Sequence, residues 1–121
     1  MSTNTSTKDL NAASHMLAHC DRIERYLQRC NCNLEEFMND ELIQDGVTMQ
    51  LLAMGELTTH FTDEFRTTYA DRIDWRNFKQ LRNVCAHRYG TLDYKIIWDI
   101  ATDELPTVKK FFTGIVEEAD G

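Results

Sequence analysis

Helix-breaking residues are what this chain lacks: one proline and five glycines are spread over 121 residues, so long stretches run with nothing to interrupt a helix. Leu, Glu, Asp, Arg and Met dominate those stretches, which favours helices over many short strands. From Leu10 the apolar residues fall at Ala13, Met16, Leu17, Cys20, Ile23 and Leu27, three and four apart, as on one face of an amphipathic helix. "CNCN" ends that helix, and Asn33 is placed to cap a short one over Leu34–Met38 with two acids in its first turn, where the helix dipole favours them. A longer helix is expected from about Asp40 to Phe65, carried by Val47, Leu51, Met54, Leu57 and Phe61, with Gly46 and Gly55 as points of close helix contact. "TTYADRID" reads as a connection. Asp74 then caps a helix bearing Trp75, Phe78, Leu81, Arg82 and Cys85, which Gly90 closes. Asp93 caps "YKIIWDIAT". Thr102 or Asp103 caps a last helix that holds Pro106 in its first turn and buries Leu105, Val108, Phe111, Phe112 and Ile115. The fold class that follows is all-α, an antiparallel bundle of four or five helices around one core. The polar opening "MSTNTST" predicts a mobile tail over residues 1–8, with the domain over 9–119.

Charge and cysteine usage exclude several functions. A net charge of -7 argues against a broad nucleic-acid footprint, because such affinity comes from many Lys/Arg–phosphate contacts. Any anion site must be local. Cys20, Cys30, Cys32 and Cys85 match neither a disulfide scaffold nor a paired CxxC zinc site, and no signal peptide precedes them, so they read as reduced cytoplasmic thiols. His15 and His19 lie four apart but lack a third ligand, and both read as surface residues. No metal and no cofactor are expected. The Met49–Met54 apolar run is too short to enter a membrane.

The chemistry concentrates in "KQLRNVCAHRYGTLDY", where Arg82, Asn83, His87, Arg88 and Tyr89 crowd the end of a helix. An arginine fork suits a phosphate, and histidine exchanges protons near neutral pH. In RNA cleavage by the ribose 2′-OH, a base must take the hydroxyl proton and a cation must meet the charge growing on phosphate. His87 and Arg82 fit those roles, Asn83 can position a ligand oxygen or the imidazole, and Tyr89 can bond phosphate or stack on a base. Residue types alone leave a structural alternative open, since helix C-termini collect His and Arg to complement the dipole. Five residues along a regular helix turn His87 about 140° from Arg82. Convergence therefore needs either unwinding near Gly90 or two copies of the helix meeting across a dimer axis.

Arg82-x4-His87-x-Tyr89, followed by Gly90, resembles the signature of the HepT-like branch of the HEPN superfamily, helical ribonuclease toxins paired with a small nucleotidyltransferase antitoxin. "LEEFMNDELIQDGVTMQLLAMGE", the Ile73–Arg76 entry to the motif helix and "IIWDIATDELPTVKKFF" resemble the same family in the same order. The resemblance implies a HEPN bundle, a homodimer whose cleft joins the two motif helices, and metal-independent endoribonuclease activity on RNA. Arg82 and His87 would be catalytic, supported by Asn83, Arg88, Tyr89 and Glu56, the last orienting Arg82. It also implies a partner, an MntA-type antitoxin forming a hetero-oligomer and transferring AMP onto Tyr89. The alternative within the same resemblance is a catalytically silent module that docks its nucleotidyltransferase.

Overall fold

The computed structural model describes residues 5–87 and 93–120, and over 82–87 the backbone alone. Helices follow one another as α1 (Thr7–Arg29), α2 (Leu34–Met38), α3 (Glu41–Leu57), α4 (Asp63–Thr68), α5 (Trp75–His87), α6 (Tyr94–Asp99) and α7 (Leu105–Asp120). A 3-10 turn, Thr58–His60, separates α3 from α4, and a π turn, Ile100–Glu104, joins α6 to α7. No strand occurs among the described residues, as an all-α chain requires.

Side-chain caps start the helices where the sequence places them. Asn33 Oδ1 accepts from Glu36 N at 3.0 Å, Asp74 Oδ1 from Asn77 N at 3.0 Å, and Asp93 Oδ1 from Lys95 N at 3.0 Å. Each satisfies an N–H that the first helical turn leaves without a partner. Ser6 does the same for α1, accepting from Asp9 N at 3.1 Å. The chain reverses after α1 through Asn31 and Cys32, at φ 58° and 51°, the left-handed region in which asparagine is among the most tolerant side chains.

Two boundaries differ from those the sequence suggests. The expected Asp40–Phe65 helix ends at Leu57 because two threonines follow: Thr58 Oγ1 donates to Gly55 O at 2.7 Å and Thr59 Oγ1 to Glu56 O at 2.8 Å. Their hydroxyls take up carbonyls of the last turn; Phe61 then extends, and Thr62 caps α4 by accepting from Phe65 N at 3.1 Å. Conversely, the break expected before the last helix is absent. Pro106 has no N–H and its ring crowds the carbonyl four residues back, and the π turn widens the helix just ahead of it, with Leu105 N–H reaching Ile100 O. Thr102 bonds back to Trp98 O at 2.8 Å instead of starting a helix.

α3 packs against α1 on one side and α5 on the other, while α7 covers the opposite flank of α1. α1 and α3 run antiparallel: Tyr26 meets Gly46, His19 meets Gln50, and Asp9 reaches Thr62 beyond the end of α3. Gly46 lets the two helices approach closely here, since a Cβ would stand 3.2 Å from the Tyr26 ring, tighter than ordinary contact. Met16, Cys20, Ile23, Leu51, Met54 and Phe112 are fully enclosed between the helices, each large apolar side chain contributing roughly 1.5–3 kcal/mol by leaving water. Phe61 centres an aromatic cluster, 4.9 Å from Phe65, 5.1 Å from Trp75 and 5.6 Å from Phe112 between ring centroids. Trp98 packs on Phe37 at 5.3 Å, so both tryptophans serve the core.

A buried carboxylate ties this frame together. Asp9 accepts Thr62 N at 2.7 Å and Thr62 Oγ1 at 2.7 Å, and Ser6 Oγ donates to it at 2.9 Å.

Candidate functional site

The helix that carries the candidate residues Arg82, Asn83 and His87 is fixed at its start by aromatic packing. Trp75 lies on Phe61, just past α3, and Leu81 and Ile73 are buried beside it. Because α5 packs along α3 and begins at the far end of it, α5 must run back antiparallel. Arg82 is seven residues, about 10 Å, from Trp75, and Glu56 is five residues, about 8–10 Å, from Phe61 across the 3-10 turn. Glu56 and the backbone of Arg82 thus come within about one helical turn of the same level along α3. Glu56 is exposed near the end of α3.

α5 stays helical through His87, so positions 82 and 87 sit about 140° apart around its axis. Asn83 follows Arg82 on the same helix. Arg88, Tyr89 and the expected closure at Gly90 lie outside the described residues.

Beside α5 is a groove of about 540 Å³ between its first turns, α6 and the π turn. Phe78, Leu81, Ile97, Ile100, Leu105 and Val108 line it, with Arg72, Asp74, Asp103 and Glu104 among its polar residues. Ile96, on the same groove, keeps 50% of its surface exposed. Sequence reasoning missed this groove; its signal was an apolar pattern around α6 too broad for one buried face.

The other titratable groups have separate duties. Cys20 is enclosed and its thiol is pushed up to about 12 by burial, with Glu24 and Asp21 adding to the effect. Cys30 is also raised by burial and donates Sγ–H to Leu27 O at 3.2 Å. Cys32 is exposed, and these three cysteines are free thiols; the side chain of Cys85 is not described. Lys109 joins α7 to α1 through Glu24 at 2.7 Å and Asp21 at 3.3 Å, and its pKa is raised by those contacts, Glu24 first. His19 Nδ1 lies 2.7 Å from Gln50 Oε1 and 3.3 Å from an Arg22 nitrogen, so the imidazole is anchored to α3 and not shared with His15. Among the described residues no three His, Cys, Asp or Glu side chains converge as a metal site would need, and no helix is long and apolar enough to cross a membrane.

Comparison with known proteins bears directly on α5. The model of a family described as ribonuclease HepT-like matches residues 16–115. A Methanocaldococcus jannaschii protein named as a candidate RNase is 31% identical over 75 residues, 62% of this chain and 68% of its own. A candidate HepT ribonuclease of Thermococcus cleftensis is 26% identical over 78 residues, 64% of this chain and 70% of its own. A third relative, from M. jannaschii and named as a gamma-glutamylcyclotransferase and candidate RNase, is 26% identical over 107 residues. Those residues are 88% of this chain but 47% of that protein, so the chain spans about half of it. No solved structure matches.

Proposed function

Because the chain belongs to the ribonuclease HepT-like family, we propose that it is a metal-independent endoribonuclease toxin of the cytoplasm, acting as a homodimer and silenced by a nucleotidyltransferase antitoxin of the MntA type. Ribonuclease is the class the family carries. The order Arg82-x4-His87-x-Tyr89 in the sequence, with positions 82 and 87 in the last turns of a helix that α3 and the aromatic cluster hold in place, supports the finer reading.

Each residue has a chemical duty in it. The His87 imidazole takes the proton of the ribose 2′-OH; the oxygen attacks the adjacent phosphorus, and the 5′-oxygen leaves with a proton supplied by the second imidazole of the dimer. The products are a 2′,3′-cyclic phosphate and a free 5′-hydroxyl. Arg82 meets the charge that grows on the phosphate oxygens, with its fork oriented by Glu56. Asn83, Arg88 and Tyr89 hold the strand.

Two observations favour a dimer. Positions 82 and 87 diverge by about 140° on one regular helix, a divergence that a second copy of α5 resolves. The groove flanking the first turns of α5, with Ile96 half exposed, offers apolar surface on the helix that carries the site. Adenylylation of Tyr89 adds a bulky phosphodiester anion beside the arginines, which occludes the cleft and cancels its local charge.

The test is cleavage of single-stranded RNA by purified protein made without its neighbouring gene. Wild type should cut in the presence of chelator, and His87→Ala should lose about 10²–10⁴ of the rate, the share general acid–base catalysis usually supplies. Protein made with the neighbouring gene should gain the mass of an adenylyl group on Tyr89 and stop cutting. Unmodified protein that cuts no RNA would leave a docking module for the nucleotidyltransferase instead.

A further inference from the structure

The long first helix is charge-segregated in a way the candidate site does not use. On the flank facing α7, Asp21 and Glu24 hold Lys109. Around the other side, next to α3, stand His15, His19, Arg22, Tyr26 and Arg29, spaced by four, three, four and three residues, with Arg25 at the edge. That spacing stacks them along one face, and no carboxylate of α1 lies among them; at its far end Arg29 shares a hollow with Glu35, Glu36 and Asp40. None of the three arginines is ion-paired among the described residues.

In a chain of net charge -7, the stretch from His15 to Tyr26 is a local reversal of sign about 16 Å long. It is also built. His19 is fixed by Gln50 at 2.7 Å, and the Tyr26 ring lies against Gly46, whose missing Cβ makes the room. A ring backed by helix backbone and flanked by arginines is the pairing of stacking surface and cations that single-stranded nucleic acid takes.

Its position suits the same strand. From Trp75, twelve residues carry α5 about 18 Å back along α3, which brings His87 level with Met49 and Gln50, and Gln50 is the residue that binds His19. α3 packs against both helices, so the end of α5 is level with His19, and the arginines follow about 5–15 Å further along α1.

We propose that this face of α1 is a track for the phosphodiester backbone of single-stranded RNA, holding the strand on one side of the bond to be cut. The proposal rests on the ribonuclease reading and deepens it by assigning a second contact surface for the substrate.

The experiment measures how binding of a labelled 20-nucleotide single-stranded RNA weakens with salt. For single strands the logarithm of affinity falls with the logarithm of salt by about 0.7 per phosphate contact. Arg22→Ala/Arg25→Ala/Arg29→Ala should therefore lower the slope by about 2 and weaken binding at least tenfold at low salt. The three arginines exchanged for lysine should keep the slope, and Lys110→Ala, an exposed cation on α7, should leave it unchanged. Helical content and melting temperature report that each variant is folded. An unaltered slope in the alanine variant overturns the track, as does an equal drop in the lysine variant. So does loss of nucleotidyltransferase binding alone, which would make the face a protein dock. RNA that binds through the arginines but is not cut sinks the nuclease reading and leaves the track standing; RNA that is cut with an unchanged slope does the reverse.

Discussion

Replacing Asp9 by alanine should be among the costliest single changes outside the core. The carboxylate is 3% exposed and takes three hydrogen bonds, at 2.7, 2.7 and 2.9 Å. A hydrogen bond to a charged group contributes about 1.5–3 kcal/mol. Water can reach the partly buried partners after truncation, so the three do not sum; about 3–4 kcal/mol is the expected loss. For a chain of this length a kilocalorie shifts the melting midpoint by roughly 4 °C, which makes the drop about 12–16 °C. Asp9→Asn keeps the volume and can still accept Thr62 N–H, but its amide N–H₂ then confronts hydroxyls that must turn to receive it. Thr62 Oγ1 already accepts from Phe65 N at 3.1 Å, so that variant should lose about 1–2 kcal/mol. Urea unfolding followed by circular dichroism, with the slope against denaturant unchanged, measures both. A double-mutant cycle with Thr62→Val should give a coupling of at least about 1 kcal/mol. Additivity within about 0.5 kcal/mol, the behaviour of independent sites, would refute the view that this carboxylate staples α1 to the start of α4.

Three further outcomes follow from the packing and titration. Phe61→Ala, at the centre of the aromatic cluster and 1% exposed, should lose about 3–5 kcal/mol by the same unfolding assay. The contribution of Cys20 to stability should be level from neutral pH to pH 9 and fall above it. The unfolded Cys20 thiol ionises near its ordinary 9.0 while the folded one holds its proton up to about 12, a loss of at most about 1.4 kcal/mol per pH unit across that window; Cys20→Ala should flatten the decline between pH 9 and 10.5. Under native conditions an alkylating reagent should label the exposed Cys32 at least tenfold faster than Cys20, since the thiolate is the nucleophile, with peptide mass mapping as the readout.

Much of the fold was legible because the helix starts are written in side chains that cap locally. Asn33, Asp74 and Asp93 act where they stand in the sequence, and the apolar faces of α1 and α7 become the buried ones. What escaped depends on competition between nearby groups. A threonine can sit inside a helix or end one, and the bonds of Thr58 and Thr59 to Gly55 and Glu56 decide it here. Pro106 reads as a helix start, yet a π turn lets the helix run through it. Of the candidate site, the residue types and order were visible in "LRNVCAHRY". The groove along α5 and the arginine face of α1 were not, because each depends on which helix lies alongside, and periodicity within one segment carries no such information.

The central claim, that His87 and Arg82 cut RNA through the ribose 2′-OH, is tested most directly at the broken end of the strand. Wild-type protein, free of AMP and supplied with excess chelator, should leave a 2′,3′-cyclic phosphate on one product and a 5′-hydroxyl on the other, and His87→Ala should leave the RNA intact over the same time. Cleavage by His87→Ala at the parent's rate, or products ending in 3′-hydroxyl and 5′-phosphate, would contradict it.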